Sequence, residues 1–192
     1  MSHDRTVIVA DCDHANIEAE RQALADVCRD VRWLHCRTEE ALLVQYGPLT
    51  RRALAHLRQC RVIVRYGVGV DTVDLKAAAE RDIVVSNVPD YGTQEVADHA
   101  LALMLCLTRK IALANAQVKR GVWDFRETRP VFRLQGKTLG IIGGGRIGRA
   151  MARRCQALGM RILVHDPYAA PEGLPDFMTP VSLETLLQAS DV

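Results

Sequence analysis

Three glycines in the second half of the sequence have the spacing that dinucleotide binding requires. Gly143, Gly145 and Gly148 form a G-x-G-x-x-G motif directly after the apolar run TLGII. In this motif the first glycine permits a tight turn, the second lets a pyrophosphate approach the backbone, and the third lets a helix lie close to the strand. The helix that follows offers unpaired N–H groups and a positive dipole to the phosphates. We predict that Arg146 and Ile147, inside the motif, also contact the cofactor.

An acidic residue stands where such a site needs one. Asp166 ends a second apolar run, RILVHD, which follows the helical pattern after the motif. A carboxylate at this place binds the ribose hydroxyls of the adenosine and repels a 2′-phosphate, so the sequence predicts NAD rather than NADP. A glycine-rich turn that serves only close packing is the alternative that the motif leaves open.

A second glycine pair lies in the first half of the chain, in the segment RYGVGVD. Gly67 and Gly69 follow the apolar run RVIVR, where exposed N–H groups and the guanidinium of Arg65 could hold a substrate carboxylate. An ordinary turn between a strand and a helix would also use glycines, so this function stays a hypothesis at this point.

Two other groups of polar residues are weaker candidates. Glu95 and His99 stand four positions apart on a predicted helix and could pair, and we expect a packing or hydrogen-bonding role for His99 rather than catalysis. The segment Asp11-Cys12-Asp13-His14 contains metal-ligand types, but nothing else in the sequence supplies matching ligands. We interpret it as a loop or cap and predict no metal site.

The elements that must position these residues are those of an α/β protein. Short β-branched runs alternate with helical patterns, and five short apolar strands predict a parallel sheet covered on both faces. The strands are expected at Thr6–Ala10, in VRWLHC, at Ala41–Tyr46, at Arg61–Arg65 and at Ile83–Asn87. Helices are expected at Ile17–Cys28 and in TRRALAHL and VDLKAAAERD. Residues 1–92 are therefore predicted to form a flavodoxin-like substrate domain.

A long helical pattern follows, from Thr93 as N-cap to Lys119, and Gly121 ends it. At 1.5 Å per residue a helix of this length reaches roughly 40 Å, which exceeds the needs of one compact domain. We therefore predict a homodimer through this helix. Residues 93–136 are interpreted as a bridging helix and linker, with Trp123 as the hydrophobic anchor of the linker.

The pattern restarts at residue 137 as the first half of a Rossmann domain. A strand precedes the glycine motif, a helix runs to Leu158 with Gly159 as its C-terminal cap, and RILVHD is the second strand. A helix from Ser182 and a strand beginning at Asp191 complete residues 137–192. The sheet is expected to end on an unpaired apolar strand, either RILVHD or the strand beginning at Asp191. Such an edge is a predicted site of association with other chains.

Composition excludes several classes of protein. The 25 Lys and Arg against 23 Asp and Glu give a net charge of +2, and they are scattered, so no nucleic-acid partner is predicted. The longest apolar run, Ala100–Leu107, is far shorter than the roughly 20 residues that span a bilayer, so no membrane segment is predicted. The six cysteines contain no C-x-x-C pair and predict reduced thiols in a cytoplasmic protein.

Several motifs in order over nearly all of the chain resemble one family. RYGVGVD, NVPDY, EVADHA, GKTLGIIGGGRIG and HDPY are similar to segments of the NAD-dependent D-2-hydroxyacid dehydrogenases, which include phosphoglycerate dehydrogenases and the C-terminal binding proteins. RYGVGVD with VPDY most resembles the C-terminal-binding-protein branch. The resemblance implies NAD as cofactor, a small 2-hydroxy or 2-oxo acid as substrate, and a glycine loop facing the nicotinamide. It implies further that Val68 touches the cofactor and that Val96 lies nearby.

The family's catalytic residues are an Arg that fixes the substrate, a His that acts as acid and base, and a Glu that orients the His. The resemblance places all three beyond Val192, so this chain is expected to be part of a longer protein or a truncated relative, and to be inactive alone. One alternative is a non-catalytic NAD(H)-binding regulatory or corepressor-like module. A further alternative is another Rossmann enzyme, of the adenosylhomocysteine-hydrolase or alanine-dehydrogenase kind. Such an enzyme would share the glycine motif, but it would not explain why RYGVGVD precedes VPDY.

Overall fold

The chain folds into two α/β units, seen in a computed structural model that describes residues 6–10, 16–25, 30–33, 40–169 and 173–192. The first unit is Met1–Tyr91 and the second is Gly92–Val192. The segment Asp11–His14 and the end of the predicted first helix at Cys28 lie outside the described residues, as do Cys12 and Cys36. The predicted division into residues 1–92, 93–136 and 137–192 stays a prediction.

The elements of the first unit are β1 (Thr6–Val9), α1 (Glu18–Leu24), β2 (Asp30–Trp33), β3 (Ala41–Val44), α2 (Arg51–Leu54), β4 (Val62–Arg65), α3 (Leu75–Ala79) and β5 (Val84–Asn87). The five strands form a parallel sheet in the order β2-β1-β3-β4-β5. This is the flavodoxin-like order, which confirms the predicted fold. Helices α2 and α3 are shorter than the sequence patterns suggest.

The central strands of this sheet are buried as expected for a sheet with helices on its faces. Ile8, Leu42 and Ile63 from three neighbouring strands pack in one core with Leu54 of α2 and Ala78 of α3. Burial of these side chains fixes β4, because moving it would expose apolar surface that costs about 25 cal/mol per Å² in water. The core thereby sets the place of the loop that follows β4.

The second unit contains a three-stranded parallel sheet in the order β6-β7-β8. Its elements are α4 (Thr93–Thr108), α5 (Ile111–Lys119), a 3-10 helix (Phe125–Thr128), β6 (Thr138–Ile142), α6 (Arg146–Ala157), β7 (Arg161–His165), β8 (Met178–Pro180) and α7 (Leu183–Ala189). The strands and helices predicted around the glycine motif are confirmed. Strand β8 is missed by sequence reasoning, because it has three residues and ends in a proline.

The predicted open edge at RILVHD is wrong, because β7 lies between β6 and β8. On the other side of β6, the Asp191 N–H donates to the Thr138 carbonyl at 2.9 Å and the Gly140 N–H donates to the Val192 carbonyl at 2.8 Å. The chain therefore runs alongside β6 at the place where a strand beginning at Asp191 is predicted.

The single long helix predicted from Thr93 to Lys119 is wrong, since the segment forms two helices. Lys110 adopts a left-handed conformation, φ 58°, between α4 and α5. The Thr108 hydroxyl donates to the Met104 carbonyl at 2.8 Å, a bond that competes with the helix and tends to bend it. No glycine or proline marks this break, so the sequence pattern continues through it.

Two smaller expectations about this segment also fail. Thr93 is the first helical residue and Gly92 occupies the N-cap position, so Thr93 is not the cap. Trp123 is 90% exposed, so it does not anchor the linker within the described part of the chain.

Among the described helices, none is both long and apolar enough to cross a membrane.

Replacement of Lys110 by glycine tests the break between α4 and α5. A left-handed residue with a side chain costs roughly 1–2 kcal/mol, and glycine removes that cost at an entropic penalty of about 0.5–1 kcal/mol. We expect Lys110→Gly to leave the free energy of unfolding unchanged or to raise it by up to about 1 kcal/mol in urea titrations. Ala116→Gly, inside α5, is the control and should lower it by about 1 kcal/mol. A similar loss in Lys110→Gly would contradict the break.

Candidate functional site

The glycine motif forms the turn between β6 and α6. Gly143 has φ 101°, a conformation that glycine adopts freely, and its N–H donates to the His165 carbonyl at 2.8 Å. Gly145 is the N-cap of α6 and supplies no side chain to the first N–H groups of the helix. A helix N-terminus of this kind is an anion-binding site, because its first N–H groups lack partners within the helix.

Two glycines of the motif have different physical roles. A Cβ on Gly148 would lie 2.0 Å from the carbonyl oxygen of Gly143, so this position is required by the packing of the chain on itself. A Cβ on Gly145 would meet nothing within 4 Å, so the space in front of this residue is open. The site therefore has the open cradle that an approaching phosphate group needs, and the residues fit a dinucleotide.

Asp166 follows β7 and is attached to the turn. Its Oδ2 accepts the Gly144 N–H at 2.8 Å, and its Oδ1 accepts the N–H groups of Tyr168 at 2.8 Å and Ala169 at 3.1 Å. These bonds, first those from Tyr168 and Gly144, hold the pKa of Asp166 below its usual value against the opposing effect of burial. A carboxylate has about four lone-pair sites, so Asp166 retains capacity for a ribose hydroxyl.

Sequence reasoning missed one residue of the turn, Arg149. Its Nε donates to the Gly144 carbonyl at 2.7 Å, so both backbone polar groups of Gly144, its N–H and its carbonyl, are held by charged side chains. The sequence does carry a signal for this contact. Arg149 stands four positions after the N-cap Gly145, and a side chain one helical turn into a helix can reach back to the residues that precede it. Arg146 and Ile147 occupy the first turn of α6, and both are exposed.

A cleft of about 440 Å³ opens beside Asp166. It is bounded by the ends of β7 and β8, and between two of its lining residues the His165 Nδ1 lies 3.1 Å from the Val181 carbonyl oxygen. Its lining residues are Val164, His165, Asp166, Ala169, Leu174, Pro180, Val181 and Ser182. The cleft is mixed in polarity, with apolar walls and a carboxylate at one side, as a nucleoside requires.

The second candidate site is the loop after β4 in the first unit. Gly67 has φ 144°, its N–H donates to the Arg65 carbonyl at 2.9 Å, and its own carbonyl accepts the Val88 N–H at 3.1 Å. The Asn87 Nδ2 donates to the Val68 carbonyl at 2.7 Å. Asn87 thus supports the loop from the end of β5, a role that sequence reasoning missed although the residue opens the NVPDY segment.

Arg65 folds back over this loop. Its Nε donates to the Gln45 carbonyl at 3.2 Å, and a Cβ on Gly67 would lie 1.7 Å from its Nη1. Glycine is therefore required at position 67 for the guanidinium to lie where it does. The structure brings Arg65, Gly67, Val68 and Gly69 together in this loop, and Val68 and Gly69 are exposed.

The remaining predicted residues lie on α4 in the second unit. Val96 is 49% exposed, and Glu95 and His99 are exposed without a hydrogen bond between their side chains. Asp98 instead contacts Arg154, whose Nε donates to its Oδ1 at 2.6 Å. In the described ranges, no three His, Cys, Asp or Glu side chains are grouped so that they could hold a metal ion.

Comparisons with known proteins agree on one family. Residues 101–192 match the sequence model of the D-isomer specific 2-hydroxyacid dehydrogenase, NAD binding domain. The chain is 43% identical over 136 residues to the D-3-phosphoglycerate dehydrogenase of Archaeoglobus fulgidus, which covers 70% of this chain and 26% of that protein. The chain therefore spans about a quarter of the length of this relative.

Two solved structures are similar over nearly the whole chain. A glyoxylate reductase from Paecilomyes thermophila superposes with a TM-score of 0.85 at 28% identity, over 97% of this chain and 63% of that one. D-Lactate dehydrogenase from Aquifex aeolicus, solved with NAD and lactic acid, superposes with a TM-score of 0.87 at 25% identity. The superposition covers 97% of this chain and 59% of that one. The fold of both units is thus that of these enzymes.

Alanine substitutions separate the two glycine roles. We expect Gly148→Ala to lower the free energy of unfolding by about 1–3 kcal/mol or more, because its methyl group overlaps a backbone oxygen that cannot move cheaply. Gly145→Ala is the matched variant and should cost less than about 1 kcal/mol, since its methyl group enters open space and only the N-cap preference changes. Denaturant titrations followed by circular dichroism measure both. Equal losses would contradict the assignment.

Proposed function

The chain belongs to the D-2-hydroxyacid dehydrogenase family, and we propose that it serves an NAD-dependent oxidoreductase that interconverts a 2-hydroxy acid and a 2-oxo acid by hydride transfer. The observation that carries this proposal is the open helix N-terminus at Gly145 with the ionised Asp166 beside it. When bound, NAD supplies the hydride acceptor or donor, and the residues of this chain bind and orient it.

The cofactor-binding residues are proposed from their positions around the turn. Gly143 and Gly148 give the turn its shape, Gly145 leaves room for the pyrophosphate, and the backbone N–H groups of Arg146 and Ile147 face the anion. This arrangement neutralises phosphate charge without a metal ligand, through helix N–H groups and the helix dipole.

Asp166 is the proposed determinant of NAD over NADP. Its oxygens are held by three backbone N–H groups, so the carboxylate is fixed in place and ionised at neutral pH. A ribose diol can donate to it, whereas a 2′-phosphate would place like charges in contact. The cleft between the ends of β7 and β8 is the proposed place for the adenine.

The substrate carboxylate is proposed to bind at the loop after β4. The Arg65 guanidinium lies against Gly67, and the exposed residues Val68 and Gly69 that follow would supply backbone N–H groups as further donors. An arginine and backbone donors together suit a carboxylate, because charge-assisted hydrogen bonds to it are short and strong. The similar proteins are named for phosphoglycerate, glyoxylate and lactate, which share a carboxylate next to the reacting carbon.

Acid and base catalysis is not assigned to a residue of this chain. Hydride transfer from a 2-hydroxy acid requires a group that removes the hydroxyl proton, usually a histidine held by a carboxylate. His99 is exposed and no carboxylate in the described ranges orients it. We therefore expect the 192-residue chain to bind the cofactor without efficient turnover, and we propose a reducing, cytoplasmic setting in keeping with the free thiols of Cys60, Cys106 and Cys155.

A homodimer through the segment 93–119 remains part of the proposal, although α4 and α5 replace the single helix. Apolar side chains stay exposed along both helices, among them Leu107 at 72%, Ile111 at 53% and Val118 at 51%. A cleft of about 710 Å³ between α5 and the 3-10 helix, with Val122 and Phe125 in its walls, extends this apolar surface.

The cofactor proposal is tested by titrating the chain with NADH and NADPH in a calorimeter. We expect NADH to bind at least about tenfold more tightly than NADPH, and Asp166→Asn to narrow that ratio because the repelling charge is removed. Gly145→Ala should weaken both ligands by roughly tenfold or more, since its methyl group enters the space for the pyrophosphate. Absence of NADH binding by the unmodified chain would refute the proposal.

Assays with NADH and glyoxylate, pyruvate or hydroxypyruvate test the catalytic part of the same proposal. Turnover by the chain at a rate typical of a 2-hydroxyacid dehydrogenase would contradict the expectation that this chain supplies no acid and base group. If a longer form of the protein that carries such a histidine binds NADH and turns over no 2-oxo acid, the non-catalytic regulatory module is favoured instead.

The dimer is tested by light scattering coupled to size-exclusion chromatography. We expect a mass near twice the 21.3 kDa of one chain. Leu107→Lys should lower the mass to that of a single chain, because it places a charge on the apolar surface. Gln156→Lys, an exposed change on α6, is the control and should leave the mass unchanged. A monomeric mass for the unmodified chain would refute the dimer.

A further inference from the structure

Arg154, near the end of α6, joins the helix of the glycine motif to the first turns of α4. Its Nε donates to the Asp98 Oδ1 at 2.6 Å, and its Nη2 donates to the Gln94 Oε1 at 3.1 Å and to the Gln94 carbonyl at 3.4 Å. Its Nη1 donates to the Ala150 carbonyl of its own helix at 2.9 Å. Every nitrogen of the guanidinium is therefore used, and the side chain is only 22% exposed.

These contacts hold geometry more than they add stability. Asp98 is 66% exposed, and ion pairs with such an exposed partner contribute little to folding. The planar fork of an arginine, however, fixes the direction of each acceptor that it binds, which a lysine cannot do. Arg154 therefore sets the position of residues 94–98 relative to α6.

A separate apolar contact already holds α4 against α6. Met104 packs in the buried core with Ala152 and Cys155, and its Sδ lies 4.0 Å from the Cys155 Sγ. Because this apolar contact also holds the helix pair together, we expect the fold to persist without Arg154. The hydrogen bonds of Arg154 hold the earlier part of α4, where Gln94 and Asp98 stand on either side of Val96.

We propose that Arg154 is a positioning residue for the nicotinamide half of the cofactor, acting through the segment Gln94–Asp98 and its exposed Val96. This inference rests on the proposed function together with the family resemblance, which implies that Val96 lies near the nicotinamide. The phosphate turn and Asp166 bind the other half of the dinucleotide and make no contact with the Arg154 side chain among the described hydrogen bonds. Loss of Arg154 should therefore affect the two halves of the ligand differently.

The experiment titrates the full chain with NADH and with ADP-ribose, which has the adenosine and the pyrophosphate but no nicotinamide. We expect Arg154→Met to raise the dissociation constant for NADH by roughly tenfold and to leave that for ADP-ribose within about twofold. Asp98→Asn should weaken NADH binding in the same way but by less. It replaces Arg154→Met as the test variant if that protein does not fold. Arg154→Lys should restore NADH affinity only in part, because the charge returns without the fork.

Arg153→Met is the matched control, because it removes the same charge from an exposed neighbouring position on α6. It should change neither affinity. Equal weakening of both ligands by Arg154→Met, or no weakening of either, would overturn the positioning role. If the unmodified chain binds neither ligand, the proposed function itself fails, so the two failures are distinguishable.

Discussion

The close approach of α6 to the turn that precedes it is the constraint on which the second unit depends. The position of Gly148 leaves no room for a Cβ, because the Gly143 carbonyl oxygen would lie 2.0 Å away. This approach brings the N-terminus of α6 to the end of β6, where its first N–H groups are available to an anion. The candidate phosphate site is thus a consequence of how closely a helix and a strand pack.

The polar groups around the turn keep that arrangement from relaxing. Asp166 and Arg149 hold the N–H and the carbonyl of Gly144, and the Gly143 N–H is bonded to the end of β7. Asp166 therefore has two roles, since the carboxylate that is proposed to select the ribose also maintains the turn. A change at this residue would therefore disturb the turn as well as the proposed contact with the ribose.

The loop after β4 shows the same principle in the first unit. Gly67 allows the Arg65 guanidinium to fold back against the backbone, and Asn87 holds the loop from the neighbouring strand. Arg65 and Asn87 are the last residues of adjacent parallel strands and are paired in register, so both lie at the same end of the sheet. Arrangement of ligand groups at the carboxyl ends of parallel strands is general for open α/β sheets.

The sequence by itself determined the parallel α/β architecture, the glycine motif with Asp166, and the loop at Arg65, because each depends on local periodicity or on residues close in the chain. Only the tertiary structure decided the break at Lys110, strand β8 and the contacts of Arg149 and Arg154. The break carries no glycine or proline, and β8 is too short for periodicity to register. The contacts of Arg154 join residues 56 and 60 positions apart, and no pattern along the chain reports a pairing that only packing brings about.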